Sequence, residues 1–453
     1  MASEENRLTR RMGRYARVGT NVGGVAAKIA VQRAFGRGGA DANNAAQLAE
    51  ALGGLKGPLM KVAQFVSTIP EAVPEEYAAE LSKLQSAAPP MGWGFVKRRM
   101  AAELGTNWRT RFADFERESV ASASLGQVHR AKGLDGAKLA CKLQYPDMDS
   151  AVEADLTQLG VIFALHRRMD RAVDTTQMLG EISERLREEL DYEREAAHMR
   201  LYSGIFADDP RVTVPAIQPD LSTRRLLTMS WLEGAPLMSF KGASQEQRNT
   251  IARALFQAWW HPFSHYGVIH GDPHLGNYTI PTQADGAPTG LNLLDYGCIR
   301  LFPSKFVQGV IDLYRGLQRN DRAQIVHAYE TWGFAGLSNE LVDVLSIWAR
   351  FIYGPLLDDR ERTIAEGTTP GSYGRKEAYT VHKELKEKGP VQIPREFVFM
   401  DRAAIGLGGV FLHLDARLNY HNIFNGMIED YSQDKVRARQ QAAFREAGLP
   451  VLH

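Results

Sequence analysis

"VIHGDPHLGNYTI", residues 268–280, sets two short apolar runs around a loop that carries His270, Asp272, His274 and Asn277. Apolar runs of this length, bounded by Gly and Pro, read as strands, so the segment reads as strand, loop, strand. That many polar side chains converging on one loop is unusual for a purely structural connection. Downstream, "GLNLLDYGCIRLF" (290–302) has a related form: the apolar run "LNLL" ends in Asp295, followed by Tyr296 and Gly297. Two carboxylates and an amide at strand ends are hard oxygen donors of the kind that suits Mg²⁺.

Working outward, the chain before this loop alternates in texture. Its first ~110 residues are Ala-rich with apolar positions at helical spacing, interrupted by Pro70, Pro74, Pro89 and Pro90. Near residue 115 the pattern changes. Val128 to Ala131 reads as strand, "GLDG" as a turn and "AKLACKLQY" as a second strand. A long helical region is expected from ~150 to ~205. "RRLLTMSWLEG" (224–234) reads as a short apolar strand. "SQEQRNTIARALFQAWWHPFSHYG" reads as a helix capped by Ser244, with Glu246 and Gln247 close behind. The last 150 residues or so are mostly helical in pattern.

Lys142 stands alone inside the apolar run "LACKLQ". A lysine buried there needs an anionic partner, because an unpaired interior ammonium is very costly. Taken singly, each polar residue has a plain structural reading. A strand lysine snorkels to solvent, an Asp before Gly forms a turn, and two His four apart without a third ligand make a weak zinc site. Order changes that reading. Strand Lys, acidic helix, linking strand, Asp-x₄-Asn loop and strand-Asp-x-Gly together match a two-lobed kinase layout, with the inventory that phosphoryl transfer from ATP requires.

The bulk numbers set limits. A chain of 453 residues exceeds one ordinary core. With 44% apolar and 24% charged residues and a formal net charge of +1, it reads as a soluble globular protein with no nucleic-acid partner. Residues 1–60 nevertheless carry nine Lys and Arg against four Asp and Glu. The cluster Arg7, Arg10, Arg11, Arg14 and Arg17 reads either as a basic helix for anionic lipid or as a solvated arm. Two distant cysteines, Cys141 and Cys298, imply a reducing compartment. The charged N-terminus does not resemble a signal peptide, and "AAIGLGGVFLHL" is too short to span a bilayer. A cytoplasmic protein is expected, at most peripheral on the inner membrane face.

With these residues in view, the sequence resembles the UbiB/AarF (ADCK-type) family of atypical kinases associated with coenzyme Q biosynthesis, over about residues 50 to 420. "LMKVAQFVST" is similar to the family's KxGQ motif, with Lys61 and Gln64 in its Lys and Gln positions and Ala63 at its glycine. "ASASLGQVH" resembles the Ala-rich loop that replaces a Gly-rich loop, "EELDYEREAA" the ExD motif (Glu189, Asp191) followed by Glu195, and "LLDYG" the DFG position.

The resemblance implies an α+β, two-lobed protein-kinase-like fold, mostly helical. A helical extension (1–115) would precede an N-lobe (116–235) and a helical C-lobe (236–453). It implies ATP and Mg²⁺ as cofactors. Asp272 would be the catalytic aspartate, Asn277 and Asp295 the metal ligands, and Lys142, held by Glu195, the contact to the phosphates. Ala123, Ser124 and Gly126 would line the nucleotide, with Met229 and Leu232 in the hinge strand. Lys61, Gln64, Glu189 and Asp191 would belong to the regulatory extension. If the ExD helix is continuous, Glu189 and Glu195 differ by about 120°, so Glu189 looks toward another element such as Lys61.

The extension would cover the place where a protein kinase receives its peptide, which argues against phosphorylation of proteins in trans. An atypical kinase or ATPase supporting isoprenoid-quinone biosynthesis is therefore expected. Its partners would be a lipid or quinone precursor, a membrane surface and quinone-biosynthesis proteins. Two alternatives stand beside it: a small-molecule phosphotransferase of the aminoglycoside or choline kinase type, and a non-catalytic nucleotide-binding scaffold.

Overall fold

The computed structural model describes residues 91–123, 125–153, 156–157, 180, 183–184, 186–334, 336–369, 373–388 and 395–452. Lys61, Ala63, Gln64, the Arg7–Arg17 cluster and Ser124 lie outside the described residues. The chain divides into two units, Met1–Arg194 with Ile217–Trp231, and Glu195–Ala216 with Leu232–His453.

In the first unit a helix, α1 (Trp93–Leu104), covers an antiparallel sheet. The sheet takes β1 (Asp114–Ala123), β2 (Gly126–Lys132) and β3 (Lys138–Gln144). Next in the chain come α2 (Tyr192–Ile205) and β4 (Val212–Thr213), and then β5 (Leu226–Ser230), which completes the order β1-β2-β3-β5. The turn "GLDG" closes β2 onto β3: Gly136 takes φ +84° and Asp135 Oδ1 accepts the Ala137 N–H at 3.0 Å. β1 was not legible in the sequence. It is an edge strand whose charged residues Glu116, Arg117 and Glu118 are all exposed, so it carries no apolar alternation.

Side chains alternate across a strand, so Leu139, Cys141 and Leu143 face α1 and join Val96, Met100, Trp108 and Phe112 in one core. Ala140, Lys142 and Gln144 fall on the opposite face, and all three are buried. A second cluster seats the β1–β2 turn: Leu125 packs with Met148, Val152, Leu186 and Leu190.

The expected continuous helix through Glu189 breaks. Glu189 and Leu190 form a turn, and α2 starts afresh at Tyr192. Asp191 Oδ1 accepts the N–H groups of Glu193 (3.1 Å) and Arg194 (3.0 Å), which makes it the N-cap. The 120° relation between Glu189 and Glu195 assumed a single helix and does not hold.

The second unit takes α2 from Glu195 onward, β4 and the short strand β6 (Ala235–Pro236), and continues in α3 (Gln245–Tyr266). Ser244 and Gln247 form the capping box expected from the sequence. At the other end Gly267, at φ +63°, stops the helix and passes directly into β7 (Val268–His270). β8 (Tyr278–Ile280), β9 (Leu291–Leu293) and β10 (Ile299–Leu301) follow. They form two small sheets, β4-β9-β8-β6 and β10-β7. The rest is helical: α4 (Ser304–Arg319), α5 (Arg322–Thr331), α6 (Asn339–Leu357), α7 (Arg375–Lys388), α8 (Arg395–Leu414), α9 (Tyr420–Ile428) and α10 (Gln433–Ala447). The core is built on Phe256, Trp259 and Phe263 of α3, each burial being worth about 1.5–3 kcal/mol. Among the described residues no helix is long and apolar enough to cross a membrane.

Candidate functional site

The two polar segments leave their strands side by side. β7 pairs with β10 through His270↔Ile299, and β8 pairs with β9 through Tyr278↔Leu293. The loop 271–277 and the segment 295–298 are therefore clamped at both ends. Two further backbone bonds close the gap: Gly271 N–H to Cys298 O at 2.9 Å, and Leu294 N–H to Asn277 O at 3.0 Å. Register alone makes neighbours of Asp272, Asn277 and Asp295, which the sequence only suggested.

His270 holds this arrangement. It is fully buried, lies 5.0 Å from the Trp259 ring centroid, and its carbonyl accepts the Trp259 Nε1–H at 3.0 Å. Its Nδ1 accepts the Asp272 N–H at 3.2 Å, so that nitrogen carries no proton. Its Nε2–H donates to Asp295 O at 2.7 Å. Burial pushes the imidazole pKa below its ordinary value, against the opposing Asp295 carbonyl and the charges of Asp272 and Asp295. His270 is thus neutral, in one tautomer, and ties the main chain of Asp272 to that of Asp295. His274, in the same motif, is exposed, and its Nδ1 only accepts the Gly276 N–H at 3.1 Å.

The donor set fits Mg²⁺. Asn277 Nδ2 donates to Asp272 O at 2.9 Å, which leaves its oxygen as the polar atom it presents. Asp295 Oδ1 accepts the Gly297 N–H at 3.0 Å, a bond that fixes the carboxylate rotamer. Among the described residues no group of three or more His, Cys, Asp or Glu forms a metal cage. An amide and a carboxylate, completed by phosphate oxygens and water, is the way Mg²⁺ is held when it arrives with a nucleotide.

α2 supports Asp295 from behind. Glu195 Oε1 lies 3.5 Å from the Tyr296 N–H, and His198 Nδ1 lies 3.1 Å from Tyr296 O. Glu195 and His198 are three apart on one helix face, so both reach the same peptide. Tyr296 is fully buried, its hydroxyl donating to Leu293 O at 2.9 Å. From the other side, a Cβ added to Gly406 of α8 would stand 2.4 Å from Pro273 Cγ, so that glycine admits the loop. Sequence reading did not single out His198, Trp259 or Gly406. Signals existed for two of them: His198 sits one turn after Glu195, and Gly406 interrupts the apolar run "AAIGLGGVFLHL".

Of the remaining candidates, Lys142, Gly126, Met229 and Glu189 lie in the first unit. Lys142 is buried, its Nζ 5.2 Å from the Tyr192 ring centroid. Gly126 was expected at a phosphate loop, but its close neighbour is strand backbone: an added Cβ would lie 2.2 Å from Leu143 O. Met229 is buried in β5, opposite Ala140, and Leu232, half-buried, is the first residue of the second unit's longer segment. Glu189 is half-buried in its turn.

The ABC1 atypical kinase-like domain matches residues 83–329. Atypical kinase COQ8, mitochondrial, of Saccharomyces cerevisiae is 30% identical over 254 residues, covering 56% of this chain and 50% of that one. Protein ACTIVITY OF BC1 COMPLEX KINASE 8, chloroplastic, of Arabidopsis thaliana is 26% identical over 87% of this chain and 53% of its own length. The rat protein Atypical kinase COQ8B, mitochondrial, is 27% identical over 67% of this chain and 58% of its own. This chain thus spans about half the length of these curated relatives. Among solved structures, that of the Rv3197–erythromycin complex from Mycobacterium tuberculosis superposes with a TM-score of 0.57. It is 28% identical, covering 84% of this chain and 95% of that one. The fold is α+β and protein-kinase-like.

Proposed function

Because the chain belongs to the UbiB/AarF family of ABC1 atypical kinase-like proteins, we propose that it is an ATP-binding, Mg²⁺-dependent atypical kinase or ATPase in support of isoprenoid-quinone biosynthesis. The observation that carries this reading is the bonding of neutral His270 to both Asp272 and Asp295, with Asn277 turned so that it presents an oxygen. A bound Mg–ATP would supply the phosphoryl group and neutralise the charge that develops on it. Asp272 orients the attacking hydroxyl or water and takes its proton. Asn277 and Asp295 offer the oxygen ligands, and Lys142 offers a fixed positive charge to the phosphates. Glu195 steadies the Tyr296 peptide, and with it the Asp295 carboxylate.

In this reading residues 1–115 act as the regulatory extension, through Lys61 and Gln64, on the lobes 116–235 and 236–453. Ala123, Ser124, Gly126, Met229 and Leu232 line the nucleotide. Contact with a membrane is peripheral, at a cytoplasmic inner face. COQ8 names support the quinone connection, although those relatives carry the label mitochondrial.

A thermal-shift titration with ATP and ADP, with and without Mg²⁺, tests the proposal on wild type and Asp295→Asn. Wild type is expected to be stabilised by Mg–nucleotide and the near-isosteric variant to be unresponsive. Equal stabilisation of a folded variant would sink the metal assignment. A second reading, a small-molecule phosphotransferase, is favoured by the erythromycin named with the solved relative. Phosphate transfer measured with erythromycin, a quinone precursor or neither as acceptor separates it from plain ATP hydrolysis.

A further inference from the structure

Away from the loop just described, the second unit holds a cavity of about 400 Å³ where the start of α4 meets one face of α10. α4 contributes Ser304 and Lys305, and α10 contributes Gln433, Arg437 and Gln441, which recur at helical spacing on one face. No carboxylate is among the lining residues. Gln440 forms the floor. It is 3% exposed, and its Nε2 donates to Tyr266 O at 2.9 Å and Phe302 O at 2.7 Å, so its N–H groups are committed to protein.

The other polar groups are not so committed. Ser304 is 6% exposed, yet its hydroxyl makes no hydrogen bond among the described residues. Lys305 has no ion pair among the described residues, and the side chains of Gln433 and Gln441 make no hydrogen bond among them either. Arg437 has only a 3.5 Å bridge to Asp434, whose side chain is 90% exposed. The N-caps of both helices, Pro303 and Ser432, make no side-chain capping bond. The cavity thus collects two cations, two amides, a hydroxyl and the positive ends of two helices.

We infer that this cavity binds the phosphoryl group of a phosphomonoester, held by Lys305, Arg437 and the Ser304 hydroxyl. A carboxylate has two oxygens, too few for five side-chain donors, whereas a phosphomonoester offers three terminal oxygens and charge close to −2. The space exceeds one phosphate group and is walled by Pro303 and Leu452, which suit the organic part. The site stands on these residues and not on the kinase reading. It abuts the far end of the β7–β10 ladder, whose near end carries His270.

The test is calorimetric titration of the full chain with glycerol 3-phosphate and with inorganic phosphate, using wild type, Lys305→Gln, Arg437→Gln and Asp295→Asn. Saturable binding is expected in wild type and in Asp295→Asn, which keeps the result apart from the nucleotide site. Each cation variant is expected to bind at least about tenfold more weakly. Both altered residues are exposed, so the fold survives, and unchanged melting without ligand verifies this.

A second arm measures co-sedimentation with phosphatidylcholine vesicles, with and without phosphatidic acid. Cation-dependent binding of glycerol 3-phosphate identifies a soluble ligand, and cation-dependent capture by phosphatidic acid vesicles alone identifies a lipid headgroup. No saturable binding in either arm, or cation variants that bind like wild type, overturns the inference.

Discussion

Replacing His270 by Phe keeps a ring of similar size against Trp259 and removes only its two hydrogen bonds. The Asp295 carbonyl and the Asp272 N–H then lose their partners. Both residues are half-buried, so water can reach part of each group, and the cost is about 1 kcal/mol apiece. A total of about 2 kcal/mol lowers the melting temperature of a unit this size by roughly 4–8 °C.

The pH dependence gives a second readout. Burial holds folded His270 below its ordinary pKa of 6.5, so unfolding takes up a proton once the pH falls below that value. His270 therefore contributes stability that is present above about pH 6.5 and lost as the pH falls, by up to about 1.4 kcal/mol per unit. The Phe variant lacks that component. His274→Ala serves as the control from the same motif: it removes one exposed cap to Gly276 and is expected to cost about 0.5 kcal/mol. Scanning calorimetry across pH, followed by Mg–ATP titration, measures all of this. If His270→Phe melted like wild type, or the two variants lost equal stability, the assignment of His270 as the tie between the two segments would be refuted.

Three further outcomes are expected. Gly126→Ala drives a Cβ onto the Leu143 carbonyl and should destabilise by about 1–3 kcal/mol in denaturant unfolding; a neutral effect would return Gly126 to a purely ligand-facing role. Gly406→Ala pushes on Pro273 and so displaces the loop that carries Asp272. ATP turnover should drop severalfold with little loss of stability, and unchanged turnover would separate α8 from the site. Burial and the nearby His261 and Arg439 charges bring the His265 pKa down to about 4 from 6.5. Folded His265 stays neutral where the unfolded chain is protonated, so melting temperature should fall as pH drops from 6.5 toward 4. His265→Asn should flatten that slope, and an identical slope would remove His265 as its source.

Much of the fold was legible because its signals are local. Ser244 and Gln247 are three residues apart, "GLDG" is a self-contained turn, and the apolar runs of β3, β5, β7 and β9 carry their own pattern. β1 was missed because an exposed edge strand shows no alternation to read. The helix through Glu189 was overextended because charge density looks the same in a helix and in a turn, and only the Asp191 cap reveals the break.

The sequence by itself determined which groups the second unit carries: Asp272, Asn277 and Asp295, at spacings that put each at a strand end. The tertiary structure alone decided their states. His270 is neutral and in one tautomer because partners 2 and 25 residues away bracket its ring. Tyr296 is held by Glu195 and His198, 101 and 98 residues distant. The cavity at Ser304 needs α10, more than a hundred residues on. Local patterning extends over about one helical turn or one strand pair, whereas burial and hydrogen-bond partners come from whatever part of the chain folds back to meet them.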